Sequence, residues 1–404
     1  MGRKAKDQRS RGQIVERGDK KWLVRVYTGL DAAGKREYRS AVVNGTISQA
    51  QQKRTSMLSD LDTDQFIPQS KQTLGEYITS WLKDTAPMRV AAGTLLGYTS
   101  ALARVTSKLG HVRLDAVTPK MIQCLYSELS EDELSSRYIE YVHTVLKLAL
   151  EQAVDWRLLQ RNPAKGATRP AKVELTDDQK AGMAFTSEEA DLFLEAAKQS
   201  PLYAMWLTFI TAGLRPQEMF ALKWADIETK SVRVQRDGKW SEVPTTVIKV
   251  QRAMKHLGSG KYVVGVPKTK KGRRSISIPQ TLIVALDAHR IVQVKAMLVA
   301  GEGFERNDLI FPDANGKHLS HDSVRNQFHA ICRRAKVKEL KLYGLRHTHA
   351  TILLASGVHL KVVSERLGHA SIVLTADIYS HVLPEVEHET ALTVETLLCR
   401  SAQK

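Results

Sequence analysis

Gly344-Leu345-Arg346-His347-Thr348-His349-Ala350 is the stretch on which the reading of the chain turns. Arg346 opens an apolar helical run through Thr351, Leu353 and Leu354 that ends at Gly357, with His347 and His349 in its first turn. A second arginine is set the same way upstream. Arg215, in Arg215-Pro216-Gln217-Glu218, follows the apolar run Leu202 to Ala212 and Gly213, and Pro216 sits where a first helical turn tolerates it. A helix start favours an anion, and a guanidinium there adds a two-pronged clamp. Glu218, three residues on, shares that face and can orient Arg215. Downstream, Lys361 to Leu367 reads as a short helix with Gly368 as its left-handed cap and His369 just beyond. Ser371 can cap a further helix that carries Tyr379, in Ile378-Tyr379-Ser380-His381. Between the arginine blocks, Val266-Pro267-Lys268-Thr269-Lys270-Lys271-Gly272 separates two strand-like runs and reads as a β-hairpin with Lys268 at or near its tip.

These residue types suit one reaction. Arginine forks bind the non-bridging oxygens of a phosphodiester, a lysine can protonate the leaving oxygen, and a tyrosine hydroxyl can become a covalent nucleophile, all without a metal. Taken singly, each stretch has a plainer reading. Arg215 and Glu218 can be a surface helix pair, and Lys270 and Lys271 rival Lys268 or contact a DNA backbone. His347 and His349 read as structural hydrogen-bonding groups, the Gly368 region as a helix-turn-helix, and Tyr379 as a core aromatic. Order and spacing make the set specific.

Composition agrees. The 404 residues allow two or three domains, and a hydrophobic share of 43% is ordinary for packed cores. Lys and Arg number 60 against 43 Asp and Glu, a formal net charge of +17. The surplus clusters in the first twelve residues, in Lys268 to Arg274 and in Arg333 to Lys341, which points to nucleic acid. Cys124, Cys332 and Cys399 lie far apart with no ligand spacing, so neither a metal site nor a disulfide framework is expected, and a reducing cytosol fits. No apolar run reaches the length of a membrane span, and no apolar stretch follows the basic N-terminus, so neither an anchor nor a signal peptide is expected.

Along the chain, residues 12 to 64 read as three strands and a helix. Gln13 to Val15, Trp22 to Tyr27 and Arg36 to Val43 are the strands, with turns at Arg17-Gly18-Asp19 and Asp31-Ala32-Ala33-Gly34. Thr46 and Gln49 have capping-box spacing. Lys20, Lys21, Arg25, Lys35, Arg36 and Arg39 could lay that sheet in a DNA groove. A polar linker spans residues 62 to 72. Thr73 and Glu76 then start a helical region of four or five helices, closed by Asn162-Pro163. Its apolar faces are Leu74, Ile78, Trp81 and Leu82; Leu95, Tyr98, Leu102 and Val105; and Tyr141, Val145, Leu148 and Ala149. Residues 164 to 180 read as a second, unpatterned linker. Thr186 and Glu189 cap the next helix, and strands follow at Ser231 to Gln235, Lys261 to Val266 and Arg274 to Ile278. The fold class expected is multidomain: a small α+β N-terminal domain, an all-α domain, and a mainly α domain with a small β-sheet.

The motif set resembles the tyrosine recombinase (phage integrase) family, over roughly residues 180 to 385. The Arg215 block is similar to that family's first arginine motif, and Pro267-Lys268-Thr269 to its hairpin lysine. Leu345-Arg346-His347-Thr348-His349-Ala350 resembles the second arginine motif, and Leu367-Gly368-His369-Ala370-Ser371 and Ile378-Tyr379-Ser380-His381 the last two. The resemblance implies an arm-type DNA-binding domain at 1–64, a core-binding domain at 70–170 and a catalytic domain at 178–395, as in lambda-like and conjugative-transposon integrases. It implies a site-specific recombinase in which Tyr379 attacks and Arg215, Lys268, Arg346 and His369 assist, with Glu218 and Tyr343 in support. DNA contacts are implied for Lys20, Lys21, Arg25, Arg36, Lys270, Lys271 and Arg273. No cofactor and no metal are implied. The partners implied are double-stranded DNA, three further copies in a tetramer and accessory DNA-bending proteins, in a bacterial cytoplasm. One departure stands out: Tyr343 occupies the position where the family usually has His, and a phenol is a poor base at neutral pH. A type IB topoisomerase-like enzyme and an inactive DNA-binding protein are the alternatives.

Overall fold

Apolar–polar alternation builds the first sheet in the computed structural model, which describes residues 12–30, 34–62, 72–171, 176–236, 239–258, 261–267, 269–373 and 375–376. The chain divides into two compact units, Met1–Val173 and Glu174–Lys404. The expectations for residues 1–11, for Lys268 and for the Ile378-Tyr379-Ser380-His381 block lie outside the described residues, as does the side chain of Lys270.

In the first unit, β1 (Gly12–Gly18), β2 (Lys21–Leu30) and β3 (Arg36–Asn44) form an antiparallel sheet in that order. Trp22, Val24 and Val26 alternate with Lys21, Leu23 and Arg25, so the two sets take opposite faces. Val24 and Val26 are fully buried with Ala50 and Met57 of the helix Ile47–Asp62, which covers that face. The cap expected of Thr46 and Gln49 is made in both directions, with the Thr46 N–H donating to Gln49 Oε1 at 2.9 Å. On the other face Val42 is 64% exposed, and Arg25 lies 5.0 Å from the ring centre of Tyr38.

The helices of residues 74–155 gather around a separate apolar cluster that includes Leu74, Ile78, Trp81, Leu102, Val105, Val145 and Ala149. Thr73, Thr118 and Ser135 cap three of them through their side chains. Each such cap satisfies an orphan N–H and stabilises its helix by about 1 kcal/mol. One expected core residue is misplaced: Leu148 is 38% exposed, because the buried stripe of the Ser136–Asp155 helix runs through Val142, Val145, Leu146, Ala149 and Ala153. The expected linker at 164–180 also holds more structure than its composition suggests. Asp177–Ala181 is a helix, started by a capping box between Thr176 and Gln179.

The second unit is built on the helix Tyr203–Ala212, buried almost all round, with Trp206 packed among Phe193, Phe209 and Phe328. A helix apolar on every side belongs in the middle of a core. Beside it lies a sheet in the order β4 (Ile227–Arg236), β5 (Lys239–Val250), β8 (Arg274–Ser277). The remaining strands, β6 (Ala253–Gly258) and β7 (Lys261–Gly265), pair with each other as a separate ribbon. This corrects the expected hairpin around Lys268. The strands on either side of that loop, β7 and β8, do not pair; β8 pairs with β5 instead. The alternation marks strands but not partners, and a two-stranded ribbon inserted between β5 and β8 hides the real pairing. The helices Ser187–Ala197, Gln280–Ala300, His321–Ala335, Gly344–Ala355 and Leu360–Leu367 are this unit's other long helices among the described residues. Among the described residues no helix is long and apolar enough to cross a membrane.

Candidate active site

One helix end organises the site. The Leu360–Leu367 helix closes with Gly368 in the left-handed region, φ 67°. The Gly368 N–H donates to Glu365 O at 3.0 Å and the His369 N–H to Ser364 O at 3.1 Å. This is the Schellman pattern, and it satisfies two of the carbonyls that a helix end leaves orphaned. The next three carbonyls receive no such amide from a described residue. Each is taken by a different arginine. Arg274 Nε donates to Arg366 O at 2.7 Å, Arg346 Nη2 to Leu367 O at 2.6 Å, and Arg215 Nη2 to Gly368 O at 3.1 Å. Lys271 Nζ adds a fourth cation, on Ala370 O at 3.0 Å. The negative end of the helix dipole favours this gathering of positive charge. Gly368 is required twice over: its φ is left-handed, and a Cβ there would meet Lys271 O at 2.7 Å.

Arg346 is 1% exposed. It sits in the first turn of the Gly344–Ala355 helix and also donates to Gly213 O at 2.8 Å. Burial first, then the nearby charge of Arg215, lowers its pKa to about 10, so it remains a cation at neutral pH. Arg215 is the N-cap of the short Pro216–Met219 helix, as expected, and pairs with Glu218 at 2.8 Å. Each guanidinium carries more N–H groups than these contacts use, so both can still clamp an anion. Gly213, at φ 61°, lets the chain turn between the buried helix and Arg215, while the ring of His349 lies where a Cβ would be, at 2.4 Å.

Glu218, expected to orient Arg215, is hydrogen-bonded to it within a larger ion cluster. It is 2% exposed and takes a two-pronged contact from Arg274 at 3.0 and 2.9 Å. Burial acts to raise its pKa, but the hydrogen bonds and charge of Arg274, with help from Arg215, outweigh burial and hold the carboxyl below its usual range. Arg274 was not singled out from the sequence. Its only signal there was membership of a basic run that leads into a strand.

The histidines divide by role. His369 is 9% exposed, and its Nδ1 lies 2.8 Å from Thr375 Oγ1. Burial, then the charges of Arg346 and Arg215, lower its pKa to about 4, so the ring is neutral at pH 7. If the threonine hydroxyl donates to Nδ1, the proton resides on Nε2, which can then donate to a bound anion. His349 is structural: its Nδ1 lies 2.7 Å from Ile210 O and its Nε2 accepts from Arg366 Nε at 3.0 Å. Arg366, also unforeseen, reaches on to Thr211 O and Ser277 O. His347 is half-buried, its ring 5.1 Å from that of Tyr343, and burial lowers its pKa to about 4. Tyr343 is 39% exposed, with the Arg346 guanidinium 6.0 Å from its ring centre. Lys271 and Arg273 are exposed. Among the described residues no cluster of His, Cys, Asp or Glu is placed to hold a metal ion.

A buried carboxylate orients Arg215, and Arg346 and a neutral histidine lie beside it, an arrangement of donors that can bind an anion. Residues 184–385 match the phage integrase family, and the chain belongs to that family, the tyrosine recombinases. It is accordingly an enzyme that cuts and rejoins DNA in site-specific recombination. A tyrosine recombinase XerC-like protein of Caldanaerobacter subterraneus subsp. tengcongensis is 31% identical over 399 residues, 95% of this chain and 98% of the relative. The ICEBs1 integrase of Bacillus subtilis is 26% identical over 289 residues, 70% of this chain and 72% of the relative. Among solved structures, the Tn1549 transposon integrase in complex with transposon right end DNA superposes with a TM-score of 0.61 at 18% identity, over 79% of this chain and 99% of that one. A lambda integrase dimer bound to a COC′ core site gives 0.53 at 16% identity, over 91% and 94%. At these identities the structural likeness shows the fold.

Proposed function

We propose that the cluster at the end of the Leu360–Leu367 helix cleaves DNA with Tyr379 as nucleophile. Tyr379 attacks the scissile phosphate, forms a 3′-phosphotyrosine link and frees a 5′-hydroxyl. Arg215 and Arg346 hold the non-bridging oxygens and the charge that builds on them. His369, neutral and donating from Nε2, adds a third contact. Lys268 protonates the leaving oxygen. Lys271 is the weaker candidate for that task because its ammonium is already bonded to Ala370 O. Tyr343, exposed at the rim, donates a hydrogen bond to the phosphate and is not an obligatory base. The covalent link preserves the bond energy for the return attack by a partner strand, so the exchange requires no ATP.

One observation carries this reading: Arg215 and Arg346 are tied to the adjacent carbonyls of Gly368 and Leu367, one step from His369. The reading extends to a tetramer on two DNA duplexes, to accessory bending proteins and to action in the cytoplasm. It also includes the three-domain division at 1–64, 70–170 and 178–395, with the first domain on arm-type DNA and Lys20, Lys21, Arg25 and Arg36 as its contacts. Lys270, Lys271 and Arg273 would meet the DNA backbone near the cleavage point. Separate apolar cores for the N-terminal sheet and for the helices of 74–155 support the first two domains.

Suicide substrates test the chemistry. The wild type should be trapped as a covalent adduct and Tyr379→Phe should bind DNA without one. An adduct that persists in Tyr379→Phe would sink the assignment. In the same assay Tyr343→Phe should slow cleavage by about tenfold, the loss of one neutral donor, and Tyr343→His should match or exceed the wild type.

A further inference from the structure

The side chain of Arg274 makes four hydrogen bonds, where those of Arg215 and Arg346 make two each. Its side chain is 7% exposed and lies against one that is 2% exposed, Glu218. Besides the two contacts to Glu218, Nη1 donates to Gly272 O at 3.1 Å and Nε to Arg366 O at 2.7 Å. Each oxygen of Glu218 is consequently shared. Oε1 accepts from Arg274 Nη1 at 3.0 Å and from Arg215 Nη1 at 2.8 Å. Oε2 accepts from Arg274 Nη2 at 2.9 Å and from the Arg215 backbone N–H, also at 2.9 Å. One buried anion is therefore shared by two cations, and of the two Arg215 is the more exposed, its side chain 26% accessible against 7% for Arg274.

The balance matters because a buried carboxylate tolerates no shortfall of positive charge. Without Arg274, Glu218 would keep hydrogen bonds from Arg215 alone, with Arg346 as the other cation close enough to act on it. Arg215 would then be drawn fully into that pair, and its charge would be cancelled where a phosphate needs it. With Arg274 also bonded to both carboxylate oxygens, Arg215 is oriented by Glu218 without being neutralised by it.

We infer that Arg274 is a positioning residue: it matches the charge of Glu218 so that Arg215 remains available to the scissile phosphate, and it does not itself touch DNA. The inference rests on the proposed role of Arg215 in cleavage. The competing account is a mechanical staple, in which Arg274 merely fastens the start of β8 to the helix end.

Single-turnover cleavage of a suicide substrate separates the two, using the full chain as wild type, Arg274→Gln, Arg274→Lys, and the double variant Arg274→Gln/Glu218→Gln. Charge matching predicts that Arg274→Gln cleaves about a hundredfold more slowly at neutral pH with DNA affinity little changed. Arg274→Lys, which keeps the charge, should fall between Arg274→Gln and the wild type. The double variant, having lost the orphaned carboxylate, should regain about tenfold over Arg274→Gln. Lowering the pH should also bring Arg274→Gln closer to the wild type, because protonation removes the same charge, and should leave the ratio of the double variant to the wild type unchanged. A double variant no faster than Arg274→Gln, or Arg274→Lys no faster than Arg274→Gln, overturns the inference in favour of the staple. A Tyr379-dependent adduct in the wild type upholds the parent reading whichever way these variants fall. Melting supplies a readout that needs no activity. In the wild type, ion pairing holds the Glu218 pKa low and stabilises the fold above the carboxylate range. In Arg274→Gln the buried carboxyl should instead cost stability as pH rises through its elevated pKa, so the variant's deficit should grow from about pH 5 to about pH 8. A deficit that stays constant over that range also favours the staple.

Discussion

The N-terminal sheet and the Leu360–Leu367 helix end both collect basic residues, and they hold them in opposite ways. Lys20, Lys21, Arg25 and Arg36 are exposed on or beside the sheet, and the contact seen for Arg25 is the ring of Tyr38. At the helix end, Arg215, Arg274 and Arg346 are each tied to a main-chain carbonyl, and two of them also to Glu218. Exposed, mobile charge gives affinity that salt erodes, and its ordering entropy is lost on binding. Charge fixed in advance and shielded from water gives reactivity at one point, and its ordering cost is met during folding. The contrast teaches that a count of basic residues cannot tell binding from chemistry, whereas their hydrogen-bond partners can.

Arg346→Lys should break the contrast most sharply. Lysine keeps the charge but cannot span Gly213 O and Leu367 O, which Arg346 bonds at 2.8 and 2.6 Å. Cleavage should fall by about three orders of magnitude, with the salt dependence of DNA binding unchanged. A loss below about tenfold would mean that charge alone suffices at this position. Gly368→Ala comes next. It places a side chain in a left-handed conformation and 2.7 Å from Lys271 O, so the helix end and the lysine loop must separate. The conformational strain alone is about 1–2 kcal/mol. Cleavage should drop by about ten- to a hundredfold together with a lower melting temperature, and an unaltered rate would show that the cap does not set the arginines.

A pH titration sharpens the same point more gently. His349, His347 and His369 have folded pKa values of about 3, 4 and 4, each lowered chiefly by burial from 6.5. The unfolded chain therefore binds more protons than the folded one between those values, and stability falls as pH drops from about 6.5 towards 4. The melting temperature of the catalytic unit should decline over that window. A flat profile would mean that these rings are not neutral when folded. The smallest effect belongs to the sheet. Arg25→Ala should leave the cleavage rate on core DNA unchanged and reduce the slope of log affinity against log salt on arm-type DNA by about one. An undiminished slope would remove Arg25 from the DNA contacts.

What the sequence made legible was local. Arg215 and Glu218 lie within one helical turn, so their pairing follows from spacing alone. The cap at Gly368 and the boxes at Thr46, Thr73 and Thr186 are likewise written within a few residues. The partners that complete the site are distant. Arg274 is 56 positions from Glu218, and Arg366 is 155 from Thr211. Nothing in a basic run says which of its members turns inward, and the run that holds Arg274 also holds exposed Lys271 and Arg273. The pairing of β5 with β8 was hidden for the same reason, since a ribbon of two strands separates them in the chain. Leu148 was misassigned because hydrophobicity places a residue near a helical stripe without saying on which side the stripe ends.

The three arginines grip oxygens of the main chain, and every residue has such an oxygen whatever its side chain. The outward positions of the Leu360–Leu367 helix, Lys361, Val362 and Glu365, are exposed and take no part in that grip. They form a surface that selection or a designer can rewrite, residue by residue, while the reaction centre beneath keeps its geometry. A recombinase that must acquire new neighbours or new DNA without forgetting its chemistry has, in that helix, a place to change.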